Sequence, residues 1–97
     1  FMPYVLVANR SAIEDKIKRL AAYCGLASDF DAFLREILDL RASLGVPHTL
    51  REFRVDSARR GQIADMAVVD PTAGGNPVQV TREFALGIFD RASEGRL

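Results

Sequence analysis

The residues that could carry out chemistry are few in this chain, and their spacing does not bring them together. His48 is the only histidine and Cys24 the only cysteine among the 97 residues. A metal site needs several ligands, and no cysteine, histidine or carboxylate stands at a matching distance from His48 in the sequence. A Ser/His/Asp set could be assembled from His48 and several serines, but nothing in the sequence places them near one another.

Motifs that bind nucleotides or expose a nucleophile are also missing from the sequence, which has no G-x-G-x-x-G, P-loop or G-x-S-x-G elbow. Asp29 and Asp31 could exchange protons with a substrate, but they fall in a predicted first helical turn, where negative charge favours the helix dipole. Cys24 lies on a predicted apolar stripe, which favours a small buried core residue over a nucleophile. On these residues the chain is a poor candidate for a complete enzyme.

The stretch from Asp70 to Thr81 is the part of the sequence best suited to line a ligand pocket. It contains two of the four prolines and two of the seven glycines. Gly74 and Gly75 allow backbone angles that a Cβ would forbid, and small residues let a ligand approach the backbone closely. The same glycines lie shortly before a helix start, which is a weak indication of a phosphate-binding site. Two interpretations stay open: an ordinary helix–helix connection, or a loop that lines a ligand pocket.

The elements that would position this loop are helices. Four segments have apolar residues at helical spacing, namely Ser11–Cys24, Asp29–Leu44, Asp56–Val69 and Arg82–Ser93. The segment Phe1–Asn9 is ambiguous, because its valines favour a strand while Pro3 suits the first turn of a helix. Since no other segment could pair with it as a strand, we predict a helix there too.

Capping signals and apolar spacing set the expected ends and buried faces of these helices. Ser11 and Glu14 have the spacing of a capping box at the start of the first clear helix. The later helices are expected to start at Ser28 or Asp29, at Asp56 or Ser57, and at Thr81. Thr49 is expected to cap a single turn within the link 46–55. Expected ends are at Gly25, Gly45 and Gly95. The residues expected to be buried are Ile13, Ile17, Leu20, Cys24, Phe30, Phe33, Leu34, Ile37, Leu38, Leu44, Leu50, Phe53, Val55, Ile63, Met66, Ala67, Phe84, Ala85, Ile88, Phe89 and Ala92.

The helical segments, with no convincing strand, predict a small all-α helical bundle, and the length predicts a single domain over residues 1–97. Thirteen basic residues balance thirteen acidic ones, which argues against a nucleic-acid partner. No apolar run approaches the roughly 20 residues of a membrane span. Phe1–Val7 lacks the basic start and cleavage site of a signal peptide, and a single cysteine suits a reducing compartment, so we expect a cytoplasmic protein.

Four segments together resemble a known family. Phe1–Asn9, Leu44–Leu50, Met66–Asp70 and the turn Gly74–Pro77, in this order, are similar to the C-terminal part of the iron-containing (group III) alcohol dehydrogenases. The resemblance implies part of the dehydroquinate synthase-like C-terminal helical domain of a two-domain enzyme. It also implies a metal- and NAD(P)-dependent alcohol or aldehyde oxidoreductase, with iron or zinc as the metal in the full enzyme. This chain would contain none of the metal ligands and none of the nucleotide-binding loop.

The resemblance also implies roles for individual residues. The chain would support the metal-bearing helices and close one wall of the substrate cleft, without catalytic, cofactor-binding or metal-binding residues of its own. The cleft loop would be Pro71, Thr72, Ala73, Gly74, Gly75 and Asn76, with Thr72 foremost. Two positions depart from the family pattern, because many relatives have arginine at Val78 and glycine at Arg54. The implied partners are the rest of the dehydrogenase subunit, a small alcohol or aldehyde, and a possible second copy.

A different class of function stays open as the alternative. The chain could be a stand-alone helical module that associates with itself through exposed apolar surface, without enzymatic activity. A helix-turn-helix DNA binder fits less well, because the net charge is zero and no helix carries a basic recognition stripe.

Overall fold

The computed structural model describes the whole chain, Phe1–Leu97, as five α-helices without any strand, which confirms the all-α prediction. The helices are α1 Met2–Ala8, α2 Arg10–Tyr23, α3 Phe30–Ser43, α4 Arg60–Val69 and α5 Arg82–Glu94. Short 3-10 turns at Ser57–Arg59 and Ala73–Gly75 precede α4 and follow it. No helix in the chain has the length and apolar character needed to cross a bilayer.

Local capping sets half of the helix ends, at the starts of α3 and α5 and at the ends of α2, α3 and α5, as the sequence predicts. The Asp29 carboxylate accepts a hydrogen bond from the Ala32 N–H at 3.3 Å, and the Thr81 hydroxyl accepts one from the Phe84 N–H at 3.1 Å. Each bond satisfies a donor that the first helical turn leaves without a partner. The glycines after α2, α3 and α5 all adopt positive φ, with Gly25 at 77°, where a side chain would be strained.

The junction of α1 and α2 differs from the prediction. Ser11 and Glu14 do not form a capping box, because α2 already begins at Arg10 and Ser11 lies exposed inside it. Asn9 stays near the helical region, at φ −92° and ψ 0°, and its N–H donates to the Val5 carbonyl at 3.0 Å. The Asn9 N–H is therefore paired where the chain turns, and α2 begins without a side-chain cap.

Helix α5 is at the centre of the packing. It contacts both α1 and α4, and its Phe89 and Ala92 form the buried cluster with Tyr4 of α1 and Leu50 of the link. Helices α2 and α3 pack on each other and join the rest through α1. Phe30 is only 1% exposed at this second contact, and the Arg10 guanidinium lies 4.4 Å from the centre of its ring.

Several side chains predicted to be buried are exposed. The buried stripe of α2 runs through Ile17 and Ala21, which leaves Leu20 and Cys24 outside the α2–α3 contact. On α4 the fully buried residue is Ala64, and Met66 is 62% exposed because two residues along a helix turn the side chain by about 200°. The remaining exceptions are Leu44, Phe53 and Val55.

The link between α3 and α4 contains a capped turn and one unusual backbone angle. Thr49 caps its turn as predicted, since its hydroxyl accepts a hydrogen bond from the Glu52 N–H at 3.4 Å, and its own N–H donates to the Glu52 carboxylate at 3.0 Å. Asp56 caps only the 3-10 turn, so α4 starts later than predicted, at Arg60. Arg54 is the one non-glycine residue with positive φ, 57°.

Replacing Arg54 with glycine should stabilise the chain slightly. A left-handed conformation costs an L-residue about 1–2 kcal/mol, and the extra freedom that glycine gives the unfolded chain offsets roughly 0.5–1 kcal/mol of that gain. The expected net change is a rise of about 0.5 kcal/mol in the free energy of unfolding, measured with urea. The matched control is Arg51→Gly, which should destabilise because Arg51 has no positive φ to relieve. Equal destabilisation by both variants would contradict this explanation.

Candidate functional site

The loop after α4 is a compact turn on the surface. The Ala73 N–H donates to the Asp70 carbonyl at 3.0 Å and the Gly75 N–H to the Thr72 carbonyl at 3.0 Å, forming the 3-10 turn Ala73–Gly75. Neither Gly74 nor Gly75 has a positive φ. The expectation that these glycines adopt backbone angles forbidden to other residues is therefore wrong. A Cβ at either position would meet no atom within 4 Å. Their effect is to leave an open backbone surface.

Asp70 and Thr72 fix the first half of this loop. The Thr72 N–H donates to the Asp70 carboxylate at 2.7 Å, and the Thr72 hydroxyl donates to the same oxygen at 2.5 Å. These two bonds, the hydroxyl bond foremost, lower the pKa of Asp70 below its usual value. Thr72 is exposed, and its hydroxyl oxygen can still accept a hydrogen bond from a group outside the chain.

Asn76 ties the second half of the loop to the α1–α2 junction. The Asn9 side-chain N–H donates to the Asn76 side-chain carbonyl at 2.8 Å, and the Asn76 side-chain N–H donates to the Asn9 side-chain carbonyl at 2.9 Å. The Asn76 amide also donates to the Val78 carbonyl at 2.6 Å. Asn9 is only 3% exposed, and this pair supplies its partners. Asn9 was not predicted as a partner of the loop, and its one signal in the sequence is an amide residue directly after the apolar run of α1.

An apolar groove opens beside the loop, and we call it the α5 groove. Its floor is α5, its walls are α1 and α4, and the end of the loop closes it. Its volume is about 260 Å³, and its lining residues are Phe1, Val5, Ile63, Ala64, Ala67, Asn76, Val80, Phe84, Ala85, Ile88 and Phe89. Asn76 is its one polar lining residue, so the groove suits an apolar occupant.

His48 has a structural role in the link. Its Nδ1 contacts the Arg41 guanidinium, and its Nε2 lies 2.9 Å from the Gly95 carbonyl. Since arginine can only donate, we assign Nδ1 as the acceptor and Nε2 as the donor. The Tyr4 hydroxyl donates to the His48 carbonyl at 2.6 Å. A Cβ on Gly95 would lie 2.8 Å from the His48 ring, so glycine permits this close approach.

The residues of this chain do not fit a metal ion. No group of three or more histidine, cysteine, aspartate or glutamate side chains lies close enough together to hold one. Cys24 is exposed at the end of α2, which corrects the expectation of a buried core cysteine. The Asp29 carboxylate caps α3 and Asp31 lies in its first turn, as the structural interpretation of these acids expects; Asp31 also pairs with Arg10 at 2.8 Å.

The structure brings together only some of the residues in the predicted loop. Asp70 with Thr72, and Asn76 with Asn9, are in direct contact. The other members of the predicted cleft loop share the turn without side-chain hydrogen bonds, and Pro71, Gly74 and Gly75 are exposed while Ala73 is half-buried. The arrangement is therefore a surface loop, held by side-chain hydrogen bonds at two points, that can contact a ligand.

One comparison with known proteins gives a match. Residues 1–93 match the family model described as Fe-containing alcohol dehydrogenase family, C-terminal. No curated protein and no solved structure matches the chain.

Proposed function

Because this chain belongs to the Fe-containing alcohol dehydrogenase family, we propose that it is the C-terminal helical part of a metal-dependent, NAD(P)-linked alcohol dehydrogenase. The observation that carries the proposal is the family match over residues 1–93 of 97. The reaction class is the oxidation of an alcohol to an aldehyde or the reverse. Iron or zinc and the nucleotide would be held by other parts of the subunit, since the residues of this chain do not fit a metal. Location in the cytoplasm stays a prediction from the sequence.

The role proposed for the chain is to support the catalytic part of the subunit and to form one wall of the substrate cleft. The loop Pro71–Asn76 is the proposed wall. Two observations support this role: Thr72 is exposed with a free acceptor position, and Asn76 holds the loop against the α1–α2 junction. A wall fixed in this way positions a substrate without adding a reacting group of its own.

Removing the Thr72 hydroxyl should weaken substrate use by the complete subunit. Loss of one hydrogen bond of about 1 kcal/mol corresponds to a decrease of roughly fivefold in kcat/KM for the alcohol. The measurement is the rate of alcohol-dependent NAD(P)H formation by Thr72→Ala, with Thr72→Ser retaining most of the activity because it keeps the hydroxyl. Ser11→Ala on the exposed surface of α2 is the control and should match the unaltered subunit.

Two results would contradict the proposal. One is alcohol-dependent NAD(P)H formation by the pure 97-residue chain, because its residues hold neither a metal nor a nucleotide-binding loop. The other is a Thr72→Ala subunit with unchanged kcat/KM for every alcohol that the subunit oxidises.

Self-association is the second candidate function, and exposed apolar side chains favour it. Val69 is 78% exposed, Leu44 68% and Phe1 59%. Single exposed apolar residues are normal, whereas a contiguous patch of them marks an interface. An intact mass near 10.7 kDa for the natural protein, together with a dimer in sedimentation, would favour this second function over the enzyme.

A further inference from the structure

A second pocket lies near the far end of α5, away from the loop Pro71–Asn76, and we call it the link pocket. The link 46–55 forms most of it, together with Tyr4 of α1, Arg41 of α3 and Ala92 of α5. Ala92 lies about 15 Å along α5 from the start of that helix, where the loop arrives. No residue of the proposed cleft wall lines the link pocket, so it is a separate site.

The link pocket has a buried floor and an exposed apolar rim. Tyr4, Leu50 and Ala92 are buried members of the central cluster and form the floor. Phe53 and Val55 line the same pocket but are exposed. A ligand that covers these two side chains removes apolar surface from water, which favours binding. The volume of the pocket is about 360 Å³, and small-molecule sites usually have about 300–1,000 Å³.

Aromatic rings make up much of the lining. Tyr4, His48 and Phe53 each contribute one, and the ring centres of Tyr4 and His48 lie 6.0 Å apart at an angle of 40°. Such rings bind a further ring through offset or edge-to-face contacts. Since a cavity of about 150 Å³ holds benzene, the link pocket has room for one ring and a substituent.

Arg41 adds a positive charge that the chain leaves without a counter-ion. None of the ion pairs in the structure includes Arg41, and none of the residues that line the pocket is acidic. The Arg41 guanidinium contacts only Nδ1 of His48, which we assigned as an uncharged acceptor. The one acid of the link, Glu52, is bonded to Thr49 instead. A carboxylate would give the guanidinium two parallel charge-assisted hydrogen bonds.

We propose that the link pocket binds a small aromatic carboxylate, with the ring on the buried floor and the carboxylate on the Arg41 guanidinium. The apolar lining requires the ring, and the unpaired guanidinium selects an anion over its neutral analogue. Arg41 also lies in the last turn of α3, where a basic residue favours the helix dipole. A role confined to the dipole would give no preference for a ligand with a ring and a charge together.

Calorimetric titration of the complete natural protein at pH 7 tests the proposal. The probe is phenylacetate, which has both the ring and the negative charge. Phenylacetamide keeps the ring without the charge, and acetate keeps the charge without the ring. We expect phenylacetate to bind at least about tenfold more tightly than either, because only phenylacetate uses both the guanidinium and the apolar floor.

Variants of Arg41 locate the bound carboxylate. Arg41→Met removes the charge and keeps an apolar stem, and it should weaken phenylacetate binding about tenfold or more. Arg41→Lys should weaken binding less, because lysine keeps the charge but lacks the planar fork. The matched control is Arg51→Met, since Arg51 is an exposed arginine of the same link that does not line the pocket. This control should change the affinity by less than about twofold.

A second variant tests the pocket without altering Arg41. Val55→Asp places a carboxylate on the exposed rim, where like charge should weaken phenylacetate binding about tenfold. Val55→Asn has nearly the same shape without the charge and should weaken it less. Thr72→Ala alters the proposed cleft wall and should leave the affinity for phenylacetate unchanged, which separates this site from the proposed function.

Four results would overturn the proposal. The first is equal affinity for phenylacetate and phenylacetamide, and the second is the same affinity in Arg41→Met as in Arg51→Met. The third is a loss of phenylacetate binding in Thr72→Ala, because the ligand would then occupy the cleft. The fourth is no binding at millimolar phenylacetate, because another part of the protein or a second copy would then cover the pocket.

Discussion

Replacing Phe89 with alanine should lower the free energy of unfolding by about 3–5 kcal/mol. Phe89 is 3% exposed and forms the buried cluster with Tyr4, Leu50 and Ala92. These residues come from α5, α1 and the link, so one ring holds three parts of the chain together. Truncation removes the apolar contacts and leaves a cavity that the surrounding helices can close only in part.

Such a loss would be a large fraction of the total stability, because a domain of this size has about 5–10 kcal/mol in all. The measurement is urea unfolding of the 97-residue chain followed by helical circular dichroism. Phe89→Leu keeps most of the apolar volume and should cost less than half as much. Tyr23→Ala is the matched control, since Tyr23 is 94% exposed, and it should change stability by no more than about 0.5 kcal/mol. A Phe89→Ala variant as stable as Tyr23→Ala would show that the cluster is not the core.

Replacing Asn9 with alanine should cost about 2 kcal/mol of stability. The variant leaves the Asn76 side-chain carbonyl without its donor and removes one acceptor of the Asn76 amide; Asn9 itself is buried and Asn76 is half-buried. An unpaired buried polar group loses its hydration without compensation, which costs more than the bond itself contributes. Loop residues 70–76 should then be less firmly held on the α1–α2 junction.

A double-mutant cycle isolates this pair from other effects. Asn9→Ala, Asn76→Ala and the double variant are compared by urea unfolding. The sum of the two single losses in the free energy of unfolding should exceed the loss in the double variant by about 1–2 kcal/mol. Asn9→Asp is a useful second variant, because a carboxylate can accept from Asn76 but cannot donate to it, and it should also destabilise. Additive costs at the two positions would mean that the reciprocal amide pair does not couple loop and junction.

The sequence by itself determined the features that depend on near neighbours. The Asp29 and Thr81 caps, the turn at Thr49 and the glycines that end α2, α3 and α5 were all predictable, because each involves groups within about five residues. The apolar spacing of α5 predicted its buried residues Phe89 and Ala92 for the same reason. The four ordered segments also allowed the family to be recognised, and the match over residues 1–93 confirms it.

Only the tertiary structure decided which helix faces are covered and what holds the loop. Periodicity shows that a face is apolar but not whether another element lies on it, so the exposure of Cys24 and Met66 depended on where α3 and α5 pack. The contact of Asn9 with Asn76 joins residues 67 positions apart, and no local pattern reports a pairing at that separation. The α5 groove arises in the same way, because it exists only where α1 and α4 flank α5 without meeting.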